Sequence, residues 1–473
     1  MNAPRAPVEV APPAAIAAGN GRVAAPTTGS SLIPPPRHAT RDVVNDAEAA
    51  VAAPAAPTAR FAALESRNFR LLWFGLLTSN VGTWMATTAE AWLVSELEPG
   101  RSAVALGLIG ASFAGPMLLL PPLGGALADR VPRLRLLRGA QIAYLSLSVT
   151  LTILTLTDNL SLWLLMANAF LTGVVLAFDN PTRQALVPDL VARSALTSAV
   201  SLNGMVFTGA MLVGPALAGL LIPVIGAGGV FAVNSVSYLA VLWSLRQIRG
   251  VPERSGRGGT DGVLATMAAG FAYVRATPAV ATLLTLSLLS GLLGRSYGPL
   301  LVVFARDVHG VGLGAFGVLV AAPGLGTLIG ALGLASRARE IRRKGHWVLA
   351  ATLASGGMLG AFAAAPGYAA ALPLLLAGAL CGTVASVLTA TMLQLETPPA
   401  LRGRVMGLYA LTLIGVPALG TLLLGTAADR VGVRAAVGAA AALLGVATLL
   451  MARRPGLAAA APGGRAGRAE VAG

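Results

Sequence analysis

From Phe69 to Ala452 the chain alternates long apolar runs with short polar breaks, and each run is about 20 residues, the length that crosses a hydrocarbon core as a helix. Charged residues and Gly/Pro breaks divide the region into spans at 69–93, 103–128, 136–157, 160–178, 196–223, 229–247, 278–305, 313–336, 346–366, 370–392, 405–427 and 435–452. Two uncharged stretches exceed the reach of one helix. Ser194–Leu245 is broken at Gly226-Ala227-Gly228-Gly229 and Trp347–Leu395 at Pro366-Gly367, so each is expected to fold back as a helical hairpin.

The polar breaks differ in charge. Arg130, Arg133, Arg135 and Arg138 follow the second span, Arg246, Arg249, Arg254, Arg257 and Arg275 the sixth, and Arg337, Arg339, Arg342, Arg343 and Lys344 the eighth. The alternate breaks hold only Arg101, Arg306, Arg430 and Arg434. By the positive-inside bias this places both termini in the cytoplasm and requires an even number of spans.

Composition supports the same class. Of 473 residues 55% are hydrophobic and 11% charged, against roughly 25% charged in a soluble domain. The net charge of +15 lies in the gaps between apolar runs, without the basic helix and interleaved aromatics of a nucleic-acid binder. The single cysteine, Cys381, excludes an internal disulfide or a Cys-based metal centre. No Walker A pattern, H-E-x-x-H pair or G-x-S-x-G elbow is present, which argues against an ATP-driven pump in one chain and against an enzyme; no cofactor or metal is expected.

Residues 1–60, rich in Ala and Pro, and 453–473 read as disordered cytoplasmic tails. The long break at 248–276, containing PERSGRGGTDG, reads as a cytoplasmic linker between a bundle at 61–247 and a second at 277–452. GPALAGLL at Gly214 returns as VPALGTLL at Val416, about 200 residues on, as duplicated six-span halves would give.

Between spans 2 and 3 lies Gly125-Ala126-Leu127-Ala128-Asp129-Arg130-Val131-Pro132-Arg133. With twelve spans in two halves, this loop resembles that of the major facilitator superfamily, G-x-x-x-D-R-x-G-R-R/K, matching at Gly125, Asp129, Arg130 and Arg133 but carrying Pro132 in place of a Gly. The resemblance implies two six-helix bundles around a central cavity and a loop that latches the cytoplasmic face. Asp179 and Arg183, four apart in FDNPTRQALVPDL after span 4, could pair with each other or with that loop. Span 5 carries AMLVGPALAG, similar to the superfamily's antiporter motif G-x-x-x-G-P-x-x-G-G at Gly214, Pro215 and Gly219, which implies export. NFRLLWFGLLTSNVG, FDNPTRQALVPDLV and RGRVMGLY further resemble the bacterial branch containing the enterobactin exporter and related secretion effectors.

Charges inside spans are costly unless paired or hydrated. Glu90, late in span 1, and Arg295, in span 7, stand apart from the loops. Because spans 1 and 7 of the superfamily meet at the outer side, Glu90 and Arg295 are expected to face the cavity and bias an outer gate, with protonation of Glu90 weakening the pair. Asn80, Thr83, Asn168, Asn203 and Tyr297 are cavity-lining candidates or helix-packing polar groups.

The sequence thus predicts an inner-membrane, multi-pass secondary transporter, functional as a monomer. Its partners would be the lipid bilayer, protons and a small amphipathic molecule, drug- or siderophore-like, exported by proton antiport. An importer of the same fold and a non-transporting sensor or scaffold are the alternatives.

Overall fold

The structure, a computed structural model, describes residues 61–453 apart from 121–122, 125–126, 128–129, 252–262, 338–340 and 342, and no side chains at 263–269 or 400. Both predicted tails therefore lie outside the described residues, Arg453 excepted. The described chain is helical, without a strand. In order it contains α1 (Arg67–Leu97), α2 (Ser102–Leu119), α3 (Arg133–Leu156), α4 (Leu162–Leu190), α5 (Leu196–Gln247), α6 (Val263–Ala276), α7 (Pro278–Leu289), α8 (Leu313–Arg337), α9 (Lys344–Ala363), α10 (Tyr368–Glu396), α11 (Pro399–Val431) and α12 (Val433–Ala452). After α7 the same span continues through a π turn at Ser290–Gly294 and a 3-10 turn at Gly298–Leu300 to Val308.

Ten of the described helical segments are long and apolar enough to cross a membrane. One of these, Arg193–Gln247, supplies two spans, because Gly226 adopts φ 70° and ψ 174° and turns the chain. The register against α1 proves the reversal. Trp73 donates to the Leu202 carbonyl and Gly214 packs on Trp84, parallel to the first arm of α5, whereas Gly75 meets Ser244 and Gly82 meets Ser237 and Asn234, antiparallel to the second. The more polar α1 makes the twelfth span, as expected. The break at Pro366-Gly367 likewise separates α9 from α10. Exposed Ile153, Trp163, Phe170, Leu220, Trp243, Leu443 and Leu449 form an apolar exterior suited to lipid.

Two boundaries depart from what the apolar runs predict. FDNPTRQALVPDL is not a loop after span 4: α4 continues through Pro181 and Pro188 to Leu190. Proline is tolerated within a membrane helix when neighbours satisfy the freed backbone groups. Here Gly124 packs closely against the Ala177 carbonyl, the group whose helical donor Pro181 removes. The segment 248–276 is also more than a linker, since α6 occupies its second part.

The buried apolar side chains fall into three clusters, which set the relation between the two ends of the molecule. One, with Phe69, Leu72, Leu137, Leu186 and Leu245, belongs entirely to the first half, from Ala63 to Ile248. Another, with Val280, Leu283, Val348, Met392 and Val405, belongs entirely to α7–α11. Both lie toward the arginine-rich loops. The third joins Trp92, Ala103, Leu106 and Ala218 to Leu300–Ala305, Phe316, Leu424 and Val437, so the halves share one core toward the short turns.

Candidate functional site

The seam between the halves is built from small residues. A Cβ on Gly317 would stand 2.6 Å from the Pro215 carbonyl oxygen and 2.7 Å from Gly219 Cα, so α5 and α8 touch backbone to backbone. Gly324 meets Leu212 in the same way, and a Cβ on Gly107 would stand 2.6 Å from Leu422 Cα, bringing α2 against α11. Small residues permit this approach and larger ones forbid it. Gly214, Pro215 and Gly219 are thus used at close contacts: Gly214 fits under Trp84 of α1, and Pro215 and Gly219 form the seam.

Polar contacts close the same end. Arg306, beyond the break in span 7, donates from Nη1 to Ser95 Oγ at 2.7 Å and stacks its guanidinium 5.2 Å from the Trp92 ring centre. Trp92 Nε1 donates to Glu96 at 2.8 Å, and the ring packs against Phe316 of α8 at 5.6 Å. Above this contact a cavity of about 360 Å³ lies between the halves, lined by Gly100, Ser102, Asp307, Asp429 and Arg434 among others. In the sequence Arg306 reads only as a loop charge; its place at the end of span 7 is the available signal.

Glu90 and Arg295 do not form the expected pair. Arg295 donates from Nη1 to Ser386 Oγ at 3.0 Å and from Nη2 to the Thr412 carbonyl at 3.3 Å, both within the second half. The turn that breaks span 7 between Gly294 and Gly298 carries the side chain toward α10 and α11. Glu90 is half-buried and takes part in no ion pair among the described residues.

At the arginine-rich end of the first half, Arg133 forms an ion pair with Asp189 and donates to the Ala185 carbonyl at 2.8 Å, fastening α3 to the end of α4. Asp179 is buried, with Arg183 Nη2 at 3.9 Å one turn along and Gln141 Nε2 donating to it at 3.2 Å from α3. Arg130 is exposed, and Gly125 and Asp129 lie outside the described residues. Sequence pattern alone does not single out Asp189, Gln141 or Gly124; the first belongs to the FDNPTRQALVPDL motif, and the others are ordinary in type.

The cavity candidates divide between own-helix and cross-helix bonds. Asn80 donates to the Leu76 carbonyl of its own helix at 2.7 Å, whereas Asn168 donates across to the Leu147 carbonyl of α3 at 3.2 Å. Thr83 Oγ1 lies 3.0 Å from Tyr238 Oη, in a first-half network that continues from Asn234 to Ser148. Tyr297 packs on Phe362 at 6.2 Å, and Asn203 is half-buried in α5. No group of three or more His, Cys, Asp or Glu able to hold a metal occurs among the described residues.

Twelve spans in two halves, joined at one end through glycine seams and separate at the other, define a membrane transporter fold. The transmembrane secretion effector model of the major facilitator superfamily matches residues 58–461, and the chain belongs to that family. It is similar to the multidrug efflux pump Tap of Mycolicibacterium fortuitum, 27% identical over 401 residues that cover 81% of this chain and 95% of the pump. It also resembles the enterobactin exporter of Shigella boydii, 29% identical over 346 residues, 72% of this chain and 77% of the exporter. Among solved structures, a bacterial homologue of the lysosomal transporter Spinster, inward-facing and unoccupied, shares the fold with TM-score 0.65 and 15% identity, over 81% of this chain and 96% of that one. A bacterial ferroportin homologue, inward-facing, gives TM-score 0.61 and 18% identity over 82% and 99%. The chain is therefore a multi-pass membrane transporter of a small molecule.

Proposed function

We propose that this transporter exports a small amphipathic molecule, drug- or siderophore-like, from the cytoplasm by proton antiport, acting as a monomer through alternating access. The observation that carries the reading is the division of the buried core: shared between the halves toward the short turns, separate toward the arginine-rich loops. With the arginine-rich face in the cytoplasm, as the charge bias requires, this is a state open inward and closed outward. The glycine seams and the Arg306–Ser95–Trp92 contact then form the outer closure. Arg133–Asp189 and Asp179–Arg183 act as structural latches of the inner end, together with Asp129 and Arg130.

The names of the related efflux pump and exporter support the outward direction. Glu90, half-buried and outside any ion pair among the described residues, is the acid assigned to proton exchange. The purified chain, reconstituted alone into vesicles with a pH gradient and without ATP, is expected to accumulate a fluorescent amphipathic cation such as ethidium on the side that corresponds to export. Flux indifferent to the gradient removes the antiport reading. Wild-type coupling in Glu90→Gln removes the assignment of Glu90.

A further inference from the structure

Arg295 is a cation inside the second half whose neighbours do not neutralise it. Its two terminal nitrogens meet a hydroxyl and a backbone carbonyl, and its Nε is buried without an acceptor. Among the described residues no carboxylate lies within 4.0 Å of it. A guanidinium at membrane depth held by neutral dipoles alone retains an uncompensated charge, which is costly.

Beside Arg295 is a cavity of about 40 Å³, bounded by α7, the π turn, α9, α10 and Leu444 of α12. That volume exceeds the 10–15 Å³ or so needed for one water, and it suits a monatomic or carboxylate-sized group. Ser287, Thr352 and Ser355 line it with hydroxyls engaged at Thr412 and at the Val348 and Gly378 carbonyls, and Ser290, Ser386 and Thr389 line it as well. None of the last three hydroxyls donates to an acceptor among the described residues; Ser386 Oγ is itself the acceptor from Arg295. Three hydroxyls with donors to spare beside a guanidinium, with no acid among the lining residues, favour an anion in this pocket.

We propose that this pocket binds a small monovalent anion, either chloride or a carboxylate group. The anion would complete the charge of Arg295 and brace the broken span 7 against α10. Read as a carboxylate of the cargo, the site rests on the transport function proposed above and makes that cargo an organic acid. Read as a resident ion, it is independent of that function.

The test is thermal unfolding of the full chain in detergent, titrated with sodium chloride or sodium formate against sodium isethionate, a larger anion without a carboxylate, at constant ionic strength. A saturable rise in melting temperature with chloride or formate, and none with isethionate, is expected. Arg295→Gln should lose the response, and Thr389→Val, which keeps the volume but removes one donor, should raise the midpoint concentration about tenfold. If Arg295→Gln does not fold, Thr389→Val decides. Citrate that matches formate identifies a carboxylate entering on a larger molecule; chloride and formate acting without citrate identify a resident ion. Melting of the wild type that ignores the anion, or an unmoved midpoint in Thr389→Val, overturns the proposal. Because no flux is measured, failure here is distinguishable from failure of the export reading.

Discussion

Arg306 and Ser95 lie 211 residues apart in sequence and 2.7 Å apart in space, and their hydrogen bond ties span 7 of the second half to α1 of the first. The stacking of the same guanidinium on Trp92 makes the contact a clamp with a charged and an apolar component. It lies where the halves share a core, so it can exist only while that end is closed.

Replacing Arg306 by Gln should therefore open the short-turn end more often. A partly desolvated cation–π contact and its hydrogen bond together contribute about 1–2 kcal/mol, a roughly tenfold change in the balance of the two states. In a Cys381→Ser background, a cysteine placed at buried Ala103 reports this opening. Labelling by a membrane-impermeant maleimide should rise several-fold in Arg306→Gln; equal labelling would show that the clamp does not govern closure.

The glycine seam should behave oppositely to a flexible joint. A side chain at Gly317 meets the Pro215 carbonyl and Gly219 backbone, neither of which is the movable end of a side chain. Gly317→Val is expected to prevent closure of the short-turn end, so the same labelling at position 103 becomes maximal and transport stops. Gly333, on the same helix but with open space around it, is the control, and Gly333→Ala should leave both measurements near wild type.

The buried pair at the end of α4 gives a different signature. Asp179 is held by Arg183 and Gln141, and removal of one charge strands the other inside the protein. Arg183→Met alone should lower thermal stability by about 3–5 kcal/mol, and the double change Arg183→Met with Asp179→Asn should recover a large part of it. A double variant no better than the single one would show that the two residues do not act as a pair.

The spans and turns are legible in the sequence because both rest on local chemistry: run length sets the spans, Gly226 turns the chain at φ 70°, and Pro366-Gly367 falls at the break between α9 and α10. The extent of α4 is not, because Pro181 ends a helix in water but not where the close approach of Gly124 covers the freed carbonyl. The same limit applies to the charged sites. Glu90 and Arg295 stand out in the sequence as charges within apolar runs, yet what Arg295 meets depends on the break in span 7, whose π and 3-10 turns redirect it to Ser386 and Thr412. Sequence names the costly charges; only the fold shows what answers them.

Acid should act on the short-turn end through His309. This residue, just past the end of span 7, is held by its backbone N–H to the Phe304 carbonyl, and its Nε2 is buried without a hydrogen-bond partner among the described residues. Burial first, and then Arg434, push its pKa below the ordinary value near 6.5. Asp307 and Asp429, which share the adjoining cavity with Arg434, are the acids of this region. A histidine whose folded pKa is depressed binds its proton more readily when unfolded, so acid favours unfolding. Its stabilising contribution is intact above about pH 6.5, where both states are neutral, and declines as the pH falls toward the folded value. His309→Gln removes the titrating group while retaining a polar side chain. The loss of melting temperature between about pH 7 and pH 5 should be smaller in His309→Gln than in the wild type, with the two curves converging above pH 7 apart from a constant offset. Parallel curves throughout the range would assign the acid sensitivity to other groups.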